Sequence, residues 1–340
     1  MKKMTLMVVM AMVGARVLVR AQAPPQMSPA TAEAEKATAP QAPTPPAVPV
    51  NAFPAVNPKN FTSDFPTPAV VSEFLKTVWG YNDNLSWSVQ AIQKTVAPGV
   101  VRVVVFVANK TQPGKVSRNE FFITPDGKHA IADAVIDFGA KPYADRRQIL
   151  QEQANGPAEG AAGKDFLMVE FADLLNAQSK EVHETVMNLE KDFPQARVVF
   201  ENLPASGNPY ALRAAAEGVC VRKAKGDAAF YTYAQAVFNK EQGLTAATLE
   251  PVLDAAVTAA GGDPKAAAVC ADSQAAKDDV KASVALGAAA GVDQSAVVVV
   301  NGRVLPAASF PYETIKQVVA YQAQLDGIAV HVQPTLSTLK

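Results

Sequence analysis

The sequence predicts an α/β fold built on a mixed sheet and preceded by a smaller α+β unit. Three observations predict it. Residues 166–171 (FLMVEF) and 197–200 (RVVF) are short apolar strands, separated by an amphipathic helix over 179–193. Residues 296–300 and 303–305 flank an Asn301-Gly302 turn of the hairpin type, and Pro311 opens a last helix over 312–325. Upstream, a helix over 68–79 is followed by β-branched runs and tight turns. A βαβ crossover closed by a hairpin and a helix makes a sandwich around a mixed sheet.

The crossover helix places Val182, Val186, Leu189 and Phe193 on one face. The small unit is expected over 66–150. Its helix carries Val71, Phe74, Leu75 and Val78 at helical spacing and stops at Gly80. Residues 100–107 (VVRVVVFV) read as a strand, residues 120–124 as its returning partner, and Pro125-Asp126-Gly127 as a turn into 129–136. Residues 144–155 form a polar connecting helix. The larger unit is expected over 158–326, with a helical insertion over about 207–290 broken near Gly226, Gly243 and Gly261-Gly262.

The first residues point to export. Lys2 and Lys3 precede a nine-residue apolar run (MTLMVVMAM), and small residues follow, so 1–23 read as a signal peptide. Arg16 and Arg20 keep this run too short to span a bilayer. Residues 24–65 read as a proline-rich disordered linker, since 12 of the 25 prolines fall between 24 and 70. Removing Lys2, Lys3, Arg16 and Arg20 from the 31 basic residues leaves 27 against 32 acidic ones, a mature net charge of −5. Such a chain is expected outside the cytoplasm, secreted or periplasmic, where disulfides persist.

Composition excludes several functions. Of the 340 residues, 49% are hydrophobic and 19% charged, which is globular rather than disordered. A net charge of −1 gives no electrostatic footprint for nucleic acid. Two cysteines and three histidines do not make a thiolate zinc cluster, so no metal is expected. No P-loop, no G-x-G-x-x-G after a strand and no EF-hand loop occurs, so no cofactor is expected either. Ser179 and His183 share a helix face as a conceivable nucleophile pair, but no oxyanion hole or orienting acid accompanies them. Met187 stands where a zincin would need its second histidine after His183-Glu184.

Over about 160–325 the order of elements, with its residues, resembles the thioredoxin-fold proteins of the DsbA family. The resemblance is carried by Val169-Glu170-Phe171-Ala172-Asp173, by Lys180-Glu181-Val182-His183, and by 230–238 (FYTYAQAVF). It continues through Ala285-Leu286-Gly287, Gly291-Val292, Val300-Asn301-Gly302-Arg303 and Pro311-Tyr312-Glu313. The TPDGKH turn at 124–129 looks like the small N-terminal domain of DsbC-like proteins, which implies a homodimer.

That family exchanges disulfides through C-x-x-C, with the first cysteine at a helix N-terminus where its thiolate is stabilised. Here the matching positions are Asn176, Ala177, Gln178 and Ser179, so the resemblance implies a degenerate site. The family's cis-proline position is held by Ala296 after Ser295. A cis bond before a non-proline residue costs about 2.5–4 kcal/mol, so Ser295–Ala296 is expected to be trans. Cys220 and Cys270 lie in the helical insertion, away from any strand end. They could form a structural disulfide, a regulatory or catalytic one, or two buried thiols; a structural disulfide is the leading expectation. The reading is a non-catalytic, chaperone-like or scaffold protein that binds polypeptide clients or envelope proteins in a groove at Asn176, Ser179, Ser295 and Ala296. The alternative is a thiol–disulfide oxidoreductase that assists protein folding.

Overall fold

A computed structural model describes residues 53–132, 135–240 and 244–330. The expected signal peptide and linker residues 24–52 lie outside the described residues.

The first sheet is an antiparallel meander covered by one helix. Helix α1 (Pro68–Trp79) begins at Thr67, whose side chain accepts a hydrogen bond from Val70 N, with Pro68 in the first turn. Its apolar stripe, Val71, Phe74 and Leu75, is fully buried. The strands are β1 (Leu85–Lys94), β2 (Val101–Asn109), β3 (Val116–Ile123), β4 (His129–Ile131) and β5 (Val135–Asp137), paired in chain order. Residues 129–136, expected as one strand, supply two short ones. The expected linker overlaps this unit. Phe61 bridges Ile92 and packs on the core, while Thr62 N donates to Ile92 O at 2.9 Å. An aromatic ring next to an open sheet edge is worth burying, and that draws 53–65 onto β1.

The second sheet has the order β10-β9-β7-β8-β6. Its strands are β6 (Ala158–Gly160), β7 (Leu167–Ala172), β8 (Arg197–Asn202), β9 (Val297–Val300) and β10 (Arg303–Leu305). Strands β7 and β8 are parallel, joined through α3 (Ala177–Asp192), and the other pairs are antiparallel. This βαβ crossover with an added hairpin is the thioredoxin-like arrangement. Strand β6, three residues of mixed polarity, has no sequence signal. All six residues of β7 are buried, because helices cover both faces. Val182, Val186 and Leu189 of α3 share one core with Ile315, Val318 and Val319 of α9 (Tyr312–Leu325). Phe171, Val199 and Val297 face the other way, toward Leu150 of α2 (Ala144–Gln153) and Leu286 of α8 (Gln274–Ala289).

The insertion is a helical cap of α4 (Pro209–Lys225), α5 (Asp227–Phe238), α6 (Ala246–Ala259), α7 (Pro264–Ala271) and α8. Cys220 of α4 and Cys270 of α7 form a disulfide. The pairing is therefore the bonded one, and among the described residues there is no free cysteine.

One arginine ties the two sheets together. Arg303 of β10 is buried, and its guanidinium donates to Thr77 O at 3.3 Å and Val78 O at 2.7 Å, in the last turn of α1. It lies 5.5 Å from the ring centres of both Tyr81 and Tyr143. Tyr321 of α9 donates to the neighbouring Lys76 O at 2.6 Å. A Cβ on Gly80 would collide with that tyrosine hydroxyl, so glycine is what permits the approach. The hairpin turn at Asn301 (φ 45°) and Gly302 (φ 85°) is likewise pinned, since Asn301 Oδ1 accepts from Leu167 N at 2.8 Å.

Candidate functional site

The β7–α3 junction is built by side chains that satisfy its own backbone. Asn176 is the N-cap of α3, and its Oδ1 accepts from Gln178 N at 2.8 Å and Ser179 N at 3.3 Å. Asp173 is buried. Its carboxylate accepts from Leu175 N at 2.8 Å and from Ala205 N at 2.9 Å. Ser179 is also buried, and its Oγ accepts from Asp173 N at 3.1 Å. Ala177 and Gln178 are exposed on the first turn. This is a closed, well-capped helix start whose side chains are spent on structure.

The sheet register brings the second half of the expected groove to the same end. Phe171 of β7 faces Val297 of β9 in antiparallel pairing. Continuing that register sets Ser295 and Ala296 beside Ala172 and Asp173, immediately before the Asn176 cap. Ala296 is buried in the core shared with Val182, whereas Ser295 is half-buried. The Ser295–Ala296 bond is cis, which corrects the expectation of a trans bond. The backbone preference of an isolated alanine is overridden by context: Ala296 is fixed between the end of β9 and the core under α3.

Ser179 and His183 do not assemble into a nucleophile pair. The serine hydroxyl is taken by Asp173 N, and His183 Nδ1 lies 2.9 Å from Glu170 Oε2. His183 is 2% exposed and Glu170 0%, so the histidine is a buried partner of the carboxylate. Its ring stacks on Tyr231 at 6.1 Å and packs against Phe200 and Phe238. The second carboxylate oxygen, Glu170 Oε1, is buried without a hydrogen-bond partner. Both residues stand out in the sequence, but their spacing does not identify them as a pair. The available signal was a charged residue inside the apolar run FLMVEF, which must find a partner if it is buried. Among the described residues, no group of three His, Cys, Asp or Glu side chains is placed to hold a metal.

Two buried titratable groups give stability a common pH dependence. Burial pulls the His183 pKa down, but the charge and hydrogen bond of Glu170 outweigh it and, with Glu159 and Glu184, leave it above the ordinary 6.5. In the cap, burial pushes the Glu217 carboxyl up to about 7, although Arg213 lies 2.8 Å away. Both groups hold a proton more tightly folded than unfolded. Their contribution is complete below the unfolded pKa and is lost as pH rises through the folded one. Thermal melting should therefore fall between pH 5 and pH 8. Glu217→Gln should flatten that slope by removing one of the two contributions. A melting temperature that rises over this range contradicts both assignments.

No protein-family model matches the chain, and no curated protein matches it. Among solved structures it is similar to a periplasmic thioredoxin-like protein from Salmonella enterica serovar Typhimurium, at 17% identity and a TM-score of 0.45, over 53% of this chain and 96% of that one. It is similar to BdbD from Bacillus subtilis at 19% identity and a TM-score of 0.44, over 50% and 93% of the two chains. It is also similar to the thiol-disulfide exchange protein α-DsbA2 from Wolbachia pipientis, at 15% identity and a TM-score of 0.44, over 52% and 95%. The strand order and crossover described above give the second sheet and its helices a thioredoxin-like fold that carries a helical cap.

Proposed function

We propose that this protein is an exported polypeptide-binding module of the DsbA type that has lost disulfide exchange. The observation that carries the reading is the fate of the thiols. Asparagine caps the helix where the family places its nucleophile, and both cysteines of the chain are bonded to each other in the cap. No C-x-x-C occurs anywhere in the sequence. What stays is the backbone at Ser295, which the continued register of β9 sets next to the capped helix start. An extended chain can pair with such backbone without any thiol.

The degenerate C-x-x-C at Asn176–Ser179, the Ala296 position and the groove they outline belong to this proposal, as does a location in the cell envelope. So does a homodimer. Phe122, Ile131 and Val135 lie in one cross-strand row, exposed beside the edge strand β5, and offer an apolar surface to a second copy. No described helix is long and apolar enough to cross a membrane.

The test has two arms. The mature protein should suppress aggregation of a reduced, unfolding client at near-stoichiometric ratio and should not reduce insulin disulfides. The variant Asn176→Cys with Ser179→Cys should gain insulin reduction, because it puts a thiol at a helix N-terminus that favours thiolate. Turnover by the unmodified chain that disappears with Cys220→Ser would replace this reading by the oxidoreductase. Failure of the double variant to gain any activity would show that the site is misplaced.

A further inference from the structure

A groove that does not include the Asn176 cap lies beside the last helix. It encloses about 1060 Å³ between the α1–β1 turn and the last helix. Tyr81, Asn82 and Trp87 form one wall; Gln317, Tyr321 and Gln324 of α9 form the other. Three aromatic faces and three side-chain amides thus line it, together with Lys76, Asp83, Leu85 and the stretch from Ile328 to Val330. That chemistry suits a polyproline II segment, whose rings pack on aromatic faces and whose carbonyls, unbonded within the helix, accept from amide donors.

The sequence upstream of the described residues is rich in proline, and the first described residues lie near the groove. Strand β1 is the outermost strand of its sheet, paired only with β2 apart from the bridge at Phe61. Along Leu85–Val89 its outer side has no strand neighbour among the described residues. Downstream, residues 60–63 run parallel to β1 beside Ile92 and Lys94. At the upstream end, Gln90 Nε2 donates both to Ser88 Oγ at 2.9 Å and to Pro54 O at 3.5 Å. The described chain therefore begins beside Ser88, one residue from Trp87 at the mouth of the groove. Residues 43–50 read PTPPAVPV: four prolines, no charge, and at about 3.1 Å per residue a reach of roughly 25 Å. Residues 51–53 span about 10 Å when extended, enough to carry that stretch past Trp87.

We propose that the groove is the docking site of the chain's own proline-rich segment, residues 43–50. One wall of its groove belongs to the first sheet's unit and the other to α9, so docking covers the seam between them.

The chain reports on this directly. Its only two tryptophans are Trp87, which lines the groove, and Trp79, whose ring centre lies 6.2 Å from that of Trp87. In the full mature chain, replacing Pro43, Pro45, Pro46 and Pro49 by serine should shift tryptophan emission to the red. It should also raise acrylamide quenching about twofold, as covered aromatic surface returns to water. A synthetic peptide of residues 43–50 should reverse both changes in that variant and do nothing to the unmodified chain. Trp87→Phe should abolish the signal and so assign it. Unchanged emission and quenching in the quadruple variant, with unfolding unaltered, would overturn the proposal. So would uncovering of the tryptophans by deletion of 331–340 instead, which makes the tail the occupant. Equal peptide binding by both chains would also overturn it, because the groove would then serve an external polypeptide.

Discussion

His183→Leu should destabilise the second domain by about 3–5 kcal/mol, the usual cost of removing one member of a buried ion pair. Glu170 is fully buried, and Oε1 already lacks a partner. Without the imidazole, which packs against Phe200, Tyr231 and Phe238, Oε2 loses its 2.9 Å contact as well, and the buried carboxylate has nothing to offset its desolvation. The pair need not be stabilising as a pair. Glu170→Leu combined with His183→Phe removes both charges and keeps the volume, so it should recover most of the loss. Urea unfolding of Glu170→Leu, His183→Phe and the double variant closes the cycle and gives the coupling directly. A double variant as unstable as His183→Leu would mean that the histidine acts by packing alone.

Opening the disulfide has the second largest expected effect. Cys220→Ala with Cys270→Ala should cost about 4 kcal/mol in the loop-entropy account, for a separation of 50 residues. The loss should be local. Helix α7 has eight residues, and of its apolar side chains only Ala267 and Ala271 are buried. A helix that short does not hold itself together in water. Besides the disulfide, α7 is tethered at its end by Arg213, which reaches Asp272 at 2.7 Å. Limited proteolysis should then cut the variant near 261–273 well before the central sheet opens. Cleavage that starts instead in the strands would show that the cap and the sheet unfold together.

Long periodic elements were legible in the sequence, and short or context-bound ones were not. Val182, Val186 and Leu189 announced α3, and Asn301-Gly302 announced its hairpin, because each signal is local and physically forced. Strand β6 and the division of 129–136 into two strands depend on pairing partners distant in the chain. At the candidate site, Asn176 was legible as an N-cap from residue type alone. The cis geometry at Ser295–Ala296 was not, because there a tertiary environment decides against the local preference. The Glu170–His183 pair lay between these cases. A charge in a buried strand demands a partner, but 13 positions of sequence do not name it. Phe61 shows the same limit, since a proline-rich flank concealed an aromatic anchor.

The grip of Arg303 on α1 also sets an order of events during synthesis. The last turn of a helix leaves carbonyls without partners. In α1 those of Thr77 and Val78 receive donors from Arg303, and Lys76 O, already bonded to Gly80 N, gains a second donor in Tyr321, both of these side chains lying more than 220 residues later in the chain. Domains form from the N-terminus as the chain emerges. The first sheet can therefore close early, but its helix keeps an unfinished end until nearly the whole chain has been made. A truncated product that stops before residue 303 would leave the Thr77 and Val78 carbonyls without the donors that Arg303 supplies.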